Sequence, residues 1–224
     1  METMYDTLLQ LPLFQGLCPN DFTQILGKVK LHFSRHKAGE RIITKGEACD
    51  KLVFLLKGEV MSESTDKYEQ FSFYEYFQSP FVIEPYSLFG MYTEFVSSYI
   101  AQTEVNLVTI DKSFVLTELN KYDIFRLNYL NIISNRSQTL YNRIWDTKVE
   151  DTDSRIINFI LYHTEKPSGE KLFKIKMDDF AHLLGETRLT ISKALNELQD
   201  KGLLSLRRKE IVVPDVTLLI NYQK

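Results

Sequence analysis

Between Gly185 and Leu204 the chain reads GETRLTISKALNELQDKGLL. Thr187, Arg188, Thr190, Ser192 and Lys193 stand close together at its start. Short hydroxyls and cations at this spacing can hydrogen-bond base edges and neutralise phosphates, the chemistry of a helix laid in a major groove. Ile191, Leu195 and Leu198 recur at intervals of four and three and should turn inward. Arg188, Leu189, Thr190, Ser192, Lys193 and Asn196 are then left on the outer and flanking surfaces. Upstream, Ala181 is small where two helices must cross closely. Gly185 supplies the positive φ of a tight turn, and the hydroxyl of Thr187 suits a helix N-cap. Downstream, Arg207, Arg208 and Lys209 lie in the middle of LLSLRRKEIVVPD, which predicts a β-hairpin wing whose cations meet phosphates. Any two-helix hairpin with a polar outer face could share part of this pattern. The basic hairpin that follows weighs against that plainer explanation.

The totals leave room for such a surface without demanding it. The chain has 224 residues, 44% hydrophobic and 25% charged, with a net charge of −3. Residues 151–224 hold 12 Lys and Arg against 11 Asp and Glu, so a local basic face rather than net charge would attract a polyanion. No apolar run approaches the roughly 18 to 20 residues that span a bilayer, and the N-terminus METMYDTLLQ lacks a signal-peptide pattern. These features predict a cytoplasmic protein with no membrane partner. Two cysteines, Cys18 and Cys49, cannot build a disulfide framework. His32 and His36, the only histidines before residue 120, lie in one segment. A metal enzyme on a double-stranded β-helix needs two histidines and a carboxylate converging from its strands. No Ser-His-Asp spacing or phosphate loop occurs either, so neither catalytic nor metal-binding residues are expected.

Other elements must position the basic segment. Residues 5–30 read as short helices, with a helix start at Pro19-Asn20-Asp21. From Leu31 the hydrophobic period falls towards two, and Gly39, Gly46 and Gly58 punctuate short strands, the pattern of a small antiparallel barrel or roll. SFVLTELNKY predicts a short helix. Asp123 to Asp146, without Gly or Pro, predicts one long helix. Leu127, Leu130, Ser134, Ser137, Tyr141 and Ile144 follow 3-4 spacing along it, a seam for a second copy of the helix across a two-fold axis. Polar residues 147–154 read as a junction. A helix ending at Pro167, a strand in GEKLFKIK, two helices in MDDFAHLLGETRLTISKALNELQDKG and the wing complete the chain.

This order of elements resembles the Crp/Fnr family of bacterial transcription regulators. The resemblance is carried by FSRHKAGERIITKGEACDKLVFLLKGEV (33–60), with Gly46-Glu47 and Gly58 at turns, and by FAHLLGETRLTISKALNELQDKGLLSLRRKEIVVPD (180–215). It implies an α+β fold: an N-terminal antiparallel β-roll of the double-stranded β-helix, cyclic-nucleotide-binding-like type, a long central dimerisation helix and a C-terminal winged helix-turn-helix. The matching domains are an effector-sensing roll at 1–120, a dimerisation helix and hinge at 121–148, and a DNA-binding domain at 149–224. Arg188 and Lys193 fall on positions of two basic residues that touch DNA. The partners implied are DNA with an inverted repeat, a second copy of the chain, RNA polymerase and a small-molecule effector.

The chain departs from the family pattern where relatives hold cyclic AMP. Their phosphate cassette pairs Gly-Glu with an arginine and a Ser or Thr about ten residues on; the arginine and a turn of backbone N–H groups neutralise the phosphate. Here, in SLFGMYTEFVSSYIAQTEV, Met91 follows Gly90, and no Lys or Arg occurs between Lys67 and Lys112. An ungapped match puts Leu140 and Tyr141 where the hydroxyl pair that meets the purine would stand. A buried phosphate without a cation is costly, so cyclic AMP is not the expected effector. The alternative is a ligand-independent regulator with a degenerate roll. No cofactor is predicted. Two cysteines cannot hold a four-thiolate iron–sulfur cluster, haem would rest on His32 or His36, and a Cys18–Cys49 redox pair is less expected than inert thiols. The stretch 71–92 is rich in aromatics, and Phe73, Tyr76, Phe81, Phe89, Tyr92 with Tyr141 form the candidate effector pocket, unless these rings simply fill the roll. Leu189 stands where many relatives have Glu; it can meet a thymine methyl but cannot accept from cytosine N4.

Overall fold

The computed structural model of the protein describes residues 4–145 and 151–222. The chain forms two compact units. One contains the residues up to 61 together with 77–138; the other contains 62–76 together with the residues from 139 onward.

In the first unit, helices α1 (Met4–Gln10) and α2 (Pro19–Lys28) precede strands β1 (Leu31–His36), β2 (Arg41–Ile43) and β3 (Lys51–Lys57). Strands β4 (Glu59–Thr65) and β5 (Phe71–Gln78) follow, and each lends part of its length to the second unit. Then come β6 (Phe81–Ile83), β7 (Ser98–Ala101), β8 (Val105–Asp111), α3 (Lys112–Thr117) and the long helix α4 (Asp123–Trp145). One antiparallel sheet has the order β1-β8-β3-β6, with Leu31 and Leu52 both opposite Ile110. β2 and β7 pair antiparallel, Ile43 opposite Tyr99. The alternating apolar residues of these strands make a continuous core with α2 and the start of α4: Phe14 meets the rings of Phe22, Phe54 and Phe125 at 5.6, 5.5 and 5.8 Å. Gly58, at φ +94°, permits the turn from β3 to β4, where an added Cβ would meet the Glu104 carbonyl oxygen at 2.5 Å. Phe125 is the buried anchor of α4, while Leu127, Leu130, Ser134, Ser137, Tyr141 and Ile144 are all exposed. The helix runs continuously to Trp145; Asp146, its predicted last residue, and junction residues 147–150 lie outside the described residues.

The second unit adds α5 (Thr152–His163), β9 (Lys171–Ile175), α6 (Met177–Leu184), α7 (Arg188–Asp200), β10 (Ser205–Arg207), β11 (Glu210–Val213) and α8 (Val216–Tyr222). Its strands run β10-β11-β9-β5-β4, with β10–β11, β11–β9 and β9–β5 all antiparallel. Residues 62–76, read from sequence as part of the 1–120 roll, therefore belong with the C-terminal unit. Phe71 and Phe73 of β5 face Ile175 and Phe173 of β9 and join a core of Ile156, Ile160, Phe180, Ile191, Leu195 and Leu198. At the end of this pairing Glu75 meets Lys171 at 3.2 Å, both side chains almost fully buried. Glu75 also accepts from the backbone N–H groups of Glu165 and Lys166 at 3.0 and 2.7 Å, and Lys171 Nζ donates to the Ser168 and Gly169 carbonyls. Burial pushes the Glu75 carboxyl up and the Lys171 ammonium down, against their mutual attraction. The pair clamps the loop 164–170 to β5.

Candidate nucleic-acid interface

The helix-turn-helix is built from α6, a three-residue turn and α7. Gly185 ends α6 in the left-handed conformation at φ +66°, and Glu186 N–H closes back on the Ala181 carbonyl at 2.9 Å. Thr187 caps α7 through its Oγ1, which accepts from Thr190 N–H at 3.1 Å. Ala181 is buried at the crossing, and Ile191, Leu195 and Leu198 are wholly inaccessible. Truncating any one of these three to Ala would cost about 2–5 kcal/mol, so the inner face fixes which residues must face out. Arg155 of α5 tethers the turn: its guanidinium meets Glu186 at 3.0 Å and the Leu184 carbonyl at 3.3 Å. Sequence spacing held no sign of that tether, because Arg155 and Glu186 are 31 positions apart.

The outer face carries the predicted residues. Thr187, Arg188, Leu189, Lys193 and Asn196 are exposed, Leu189 at 80%, while Thr190 and Ser192 are half-buried beside them. Arg188 meets Asp178 at 3.5 Å and Lys193 meets Glu197 at 3.9 Å, all four side chains well exposed. Such pairs are weak and screened, and both cations stay free to exchange partners. The wing β10–β11 turns at Arg208 and Lys209, the latter at φ +62°, and Gln199 Oε1 of α7 holds it by accepting from Leu206 N–H at 2.7 Å. Arg207, Arg208 and Lys209 are exposed. A groove of about 300 Å³ runs between the start of α6, Arg188 and the wing residues Arg207 and Lys209. A second, of about 360 Å³, brings Lys174 of β9 and Lys176, the N-cap of α6, to Arg208 and Lys209. Sequence reasoning missed both lysines: Lys174 lies on a strand, where every second residue points out and no helical pattern marks it, and Lys176 stands between that strand and α6.

The aromatic residues proposed as an effector pocket have separate employments. Phe73 packs on Phe173 at 4.5 Å in the core of the second unit, and Phe81 stacks on Phe77 at 4.3 Å in the first. Phe89 lies against Tyr129 at 5.9 Å; Tyr76 is half-buried; Tyr92 and Tyr141 are exposed. The group that sequence reading missed is Glu84. It is 1% exposed and takes φ +38°, rare for a residue with a side chain. Its Oε2 accepts from Ser87 Oγ at 3.0 Å and Val96 N–H at 2.8 Å; its Oε1 accepts from Ser97 N–H at 3.0 Å and Tyr99 OH at 3.2 Å. Burial pushes its carboxyl up, and the four donors oppose that. Met91, beside Gly90 where the acid was sought, is 90% exposed. Cys49 is buried, its thiol pushed up to about 11 by burial first and then by the Glu84 and Asp50 carboxylates, which leaves it unreactive; Cys18 is exposed and caps α2. His32 and His36 stand at the surface near Asp111 and Glu40. Among the described residues no group of three His, Cys, Asp or Glu could hold a metal ion, and no helix is long and apolar enough to cross a membrane.

Comparison with known proteins agrees with this geometry. Residues 33–122 match the cyclic nucleotide-binding domain and residues 154–222 the Crp-like helix-turn-helix domain. The chain is 21% identical, over 95% of its length and 96% of the relative, to the CRP-like cAMP-activated global transcriptional regulator of Mycobacterium tuberculosis. It is 23% identical to the global nitrogen regulator of Synechococcus elongatus, over 84% of this chain and 87% of that one. Among solved structures, the c-di-GMP-responsive global regulator CLP of Xanthomonas campestris shares the fold at a TM-score of 0.51 and 18% identity, covering 88% of this chain and 99% of that one. With a nucleotide-binding-type roll, a long helix and a winged helix-turn-helix in sequence, the chain belongs to the Crp/Fnr family: it is a DNA-binding transcriptional regulator and not an enzyme.

Proposed function

We propose that the protein acts in the cytoplasm as a homodimer that reads an inverted repeat in DNA, and that cyclic AMP is not its effector. The carrying observation is the two-sided character of α7: Arg188, Leu189 and Lys193 exposed, Ile191, Leu195 and Leu198 fully buried, with a basic wing alongside. Arg188 is suited to guanine O6 and N7, and Leu189 to a thymine methyl. Thr187, Thr190 and Ser192 and the wing cations Arg207, Arg208 and Lys209 supply hydroxyls and charges for the flanking backbone. The exposed seam Leu127, Leu130, Ser134, Ser137, Tyr141 and Ile144 on the 23-residue α4 supports pairing with a second copy. A two-fold pair places its recognition helices about 34 Å apart, one turn of DNA. The absence of Lys and Arg between Lys67 and Lys112 leaves a cyclic phosphate without a cation in that stretch. No haem or iron–sulfur cluster enters this reading, and an RNA polymerase contact belongs to it by family resemblance alone.

Selection of duplexes from a random pool by the purified full-length protein tests the proposal. Recovered sites should share an inverted repeat, bound by two chains per duplex. A pool without a common motif, or single half-sites bound by one chain, would overturn it.

A further inference from the structure

We propose that the β-roll carries its own anionic occupant: the Glu84 carboxylate fills a seat of backbone N–H and hydroxyl donors that a small anion would otherwise take, and so holds the roll and α4 together without a bound nucleotide. Two successive N–H groups, of Val96 and Ser97, point at one carboxylate, the arrangement by which a backbone concavity binds anions. Ser87 and Tyr99 complete it, so that each carboxylate oxygen receives two donors. The seat is sealed, and no ion pair to Glu84 occurs among the described residues. All four partners donate, so the ionised carboxylate satisfies them and a neutral amide would turn its own donors towards some of them. The seat lies in the part of the chain that matches the cyclic nucleotide-binding domain.

The next two residues carry the consequence outward. The Pro85 carbonyl accepts from the Tyr129 hydroxyl of α4. The ring of Tyr86 lies under the Arg136 guanidinium, 3.6 Å from its centroid. Tyr129 and Arg136 are seven residues apart on α4, two turns along one side of the helix. The segment 84–86 thus joins the donor seat to the helix at two points inside one compact unit. A left-handed backbone at Glu84 aims the carboxylate inward while its neighbours reach the helix. Emptying the seat would release the segment and loosen its hold on α4.

This inference rests on the DNA-binding reading, and the experiment separates the two. DNA affinity and thermal unfolding of the full chain are measured on its selected site for wild type, Glu84→Gln and Glu84→Ala, each with and without sodium formate or cyclic AMP. Wild type should bind without additive and ignore both additives. Glu84→Gln, which keeps the shape and removes the charge, should bind about tenfold more weakly, a change of about 1.4 kcal/mol. Glu84→Ala should melt earlier and bind more weakly, and formate, a free carboxylate, should restore both for that variant alone. Where Glu84→Ala does not fold, Glu84→Gln decides: affinity and melting equal to wild type would overturn the inference. Tighter DNA binding by wild type on addition of cyclic AMP would overturn it too. Failure of wild type to prefer any DNA sequence would instead strike the function proposed above.

Discussion

The two units place their decisive charges in opposite ways. In the second, Arg188, Lys193, Arg207, Arg208 and Lys209 point into solvent from a helix and a hairpin whose inner faces are apolar. In the first, the decisive charge is Glu84, turned inward and met, among the described residues, by donors from its own unit. An outward charge waits for a partner. An inward one has already found it. The second unit has an inward acid too, Glu75, and the contrast with Glu84 is instructive: Glu75 is met by the cation Lys171, whereas among the described residues Glu84 is met by N–H and O–H groups. A paired ion is a structural clamp with no vacancy for another anion. A seat of neutral donors is indifferent to which anion fills it.

The clamp offers the largest test of this contrast. Lys171→Met leaves Glu75 buried and uncompensated and should lower the unfolding free energy by about 3–5 kcal/mol in urea titrations. Replacing Glu75 with Gln in the same chain should recover part of the loss, since the amide oxygen can still accept from Glu165 or Lys166 N–H. No gain from the second change would mean that charge burial is not what the pair resolves. A smaller effect concerns His163, which donates to the Phe159 carbonyl at 2.7 Å among Phe71, Phe73 and Phe173. Burial pushes its pKa below the ordinary 6.5. The unfolded chain therefore takes up this proton more readily than the folded one, and stability falls as the pH drops below about 6.5. The slope from one proton is at most about 1.4 kcal/mol per pH unit. Glu75 and Glu84, held above the usual carboxylate range by burial, contribute with the opposite sign. A comparison of wild type with His163→Phe isolates the histidine: the variant should lose less stability than wild type on acidification from pH 7 to 5.5, within that limit. Equal losses would show that His163 keeps an ordinary pKa.

The same contrast explains what could be read from the sequence. The helix-turn-helix and wing were legible because their signals are local. Ala181, Gly185, Thr187 and the 4-3 spacing of Ile191, Leu195 and Leu198 fall within 18 residues, and each demands a particular backbone state. The length of α4 was legible for the same reason. The recruitment of residues 62–76 into the second unit was not, because it rests on pairing Phe71 with Ile175 and Glu75 with Lys171, about a hundred positions apart. Nothing in the alternation of β5 tells which strand will lie beside it. Glu84 was not legible because the family pattern places the acid beside Gly90 and a cation opposite a bound anion. The chain instead supplies the anion itself, six residues earlier, at a backbone angle that local sequence does not announce. The aromatic run was readable as apolar but not as divided: Phe73 and Phe81 serve different cores.

The central claim is that α7 reads bases while the wing holds phosphates. Salt titrations of affinity on the selected site and on random duplex, for wild type, Arg188→Ala and Lys209→Ala, test it directly. Arg188→Ala should lose about 1–3 kcal/mol on the selected site and far less on random DNA. Lys209→Ala should lose equally on both and lower the slope of log affinity against log salt by about 0.9. Equal losses on both duplexes for Arg188→Ala, or no loss at all, would contradict the account.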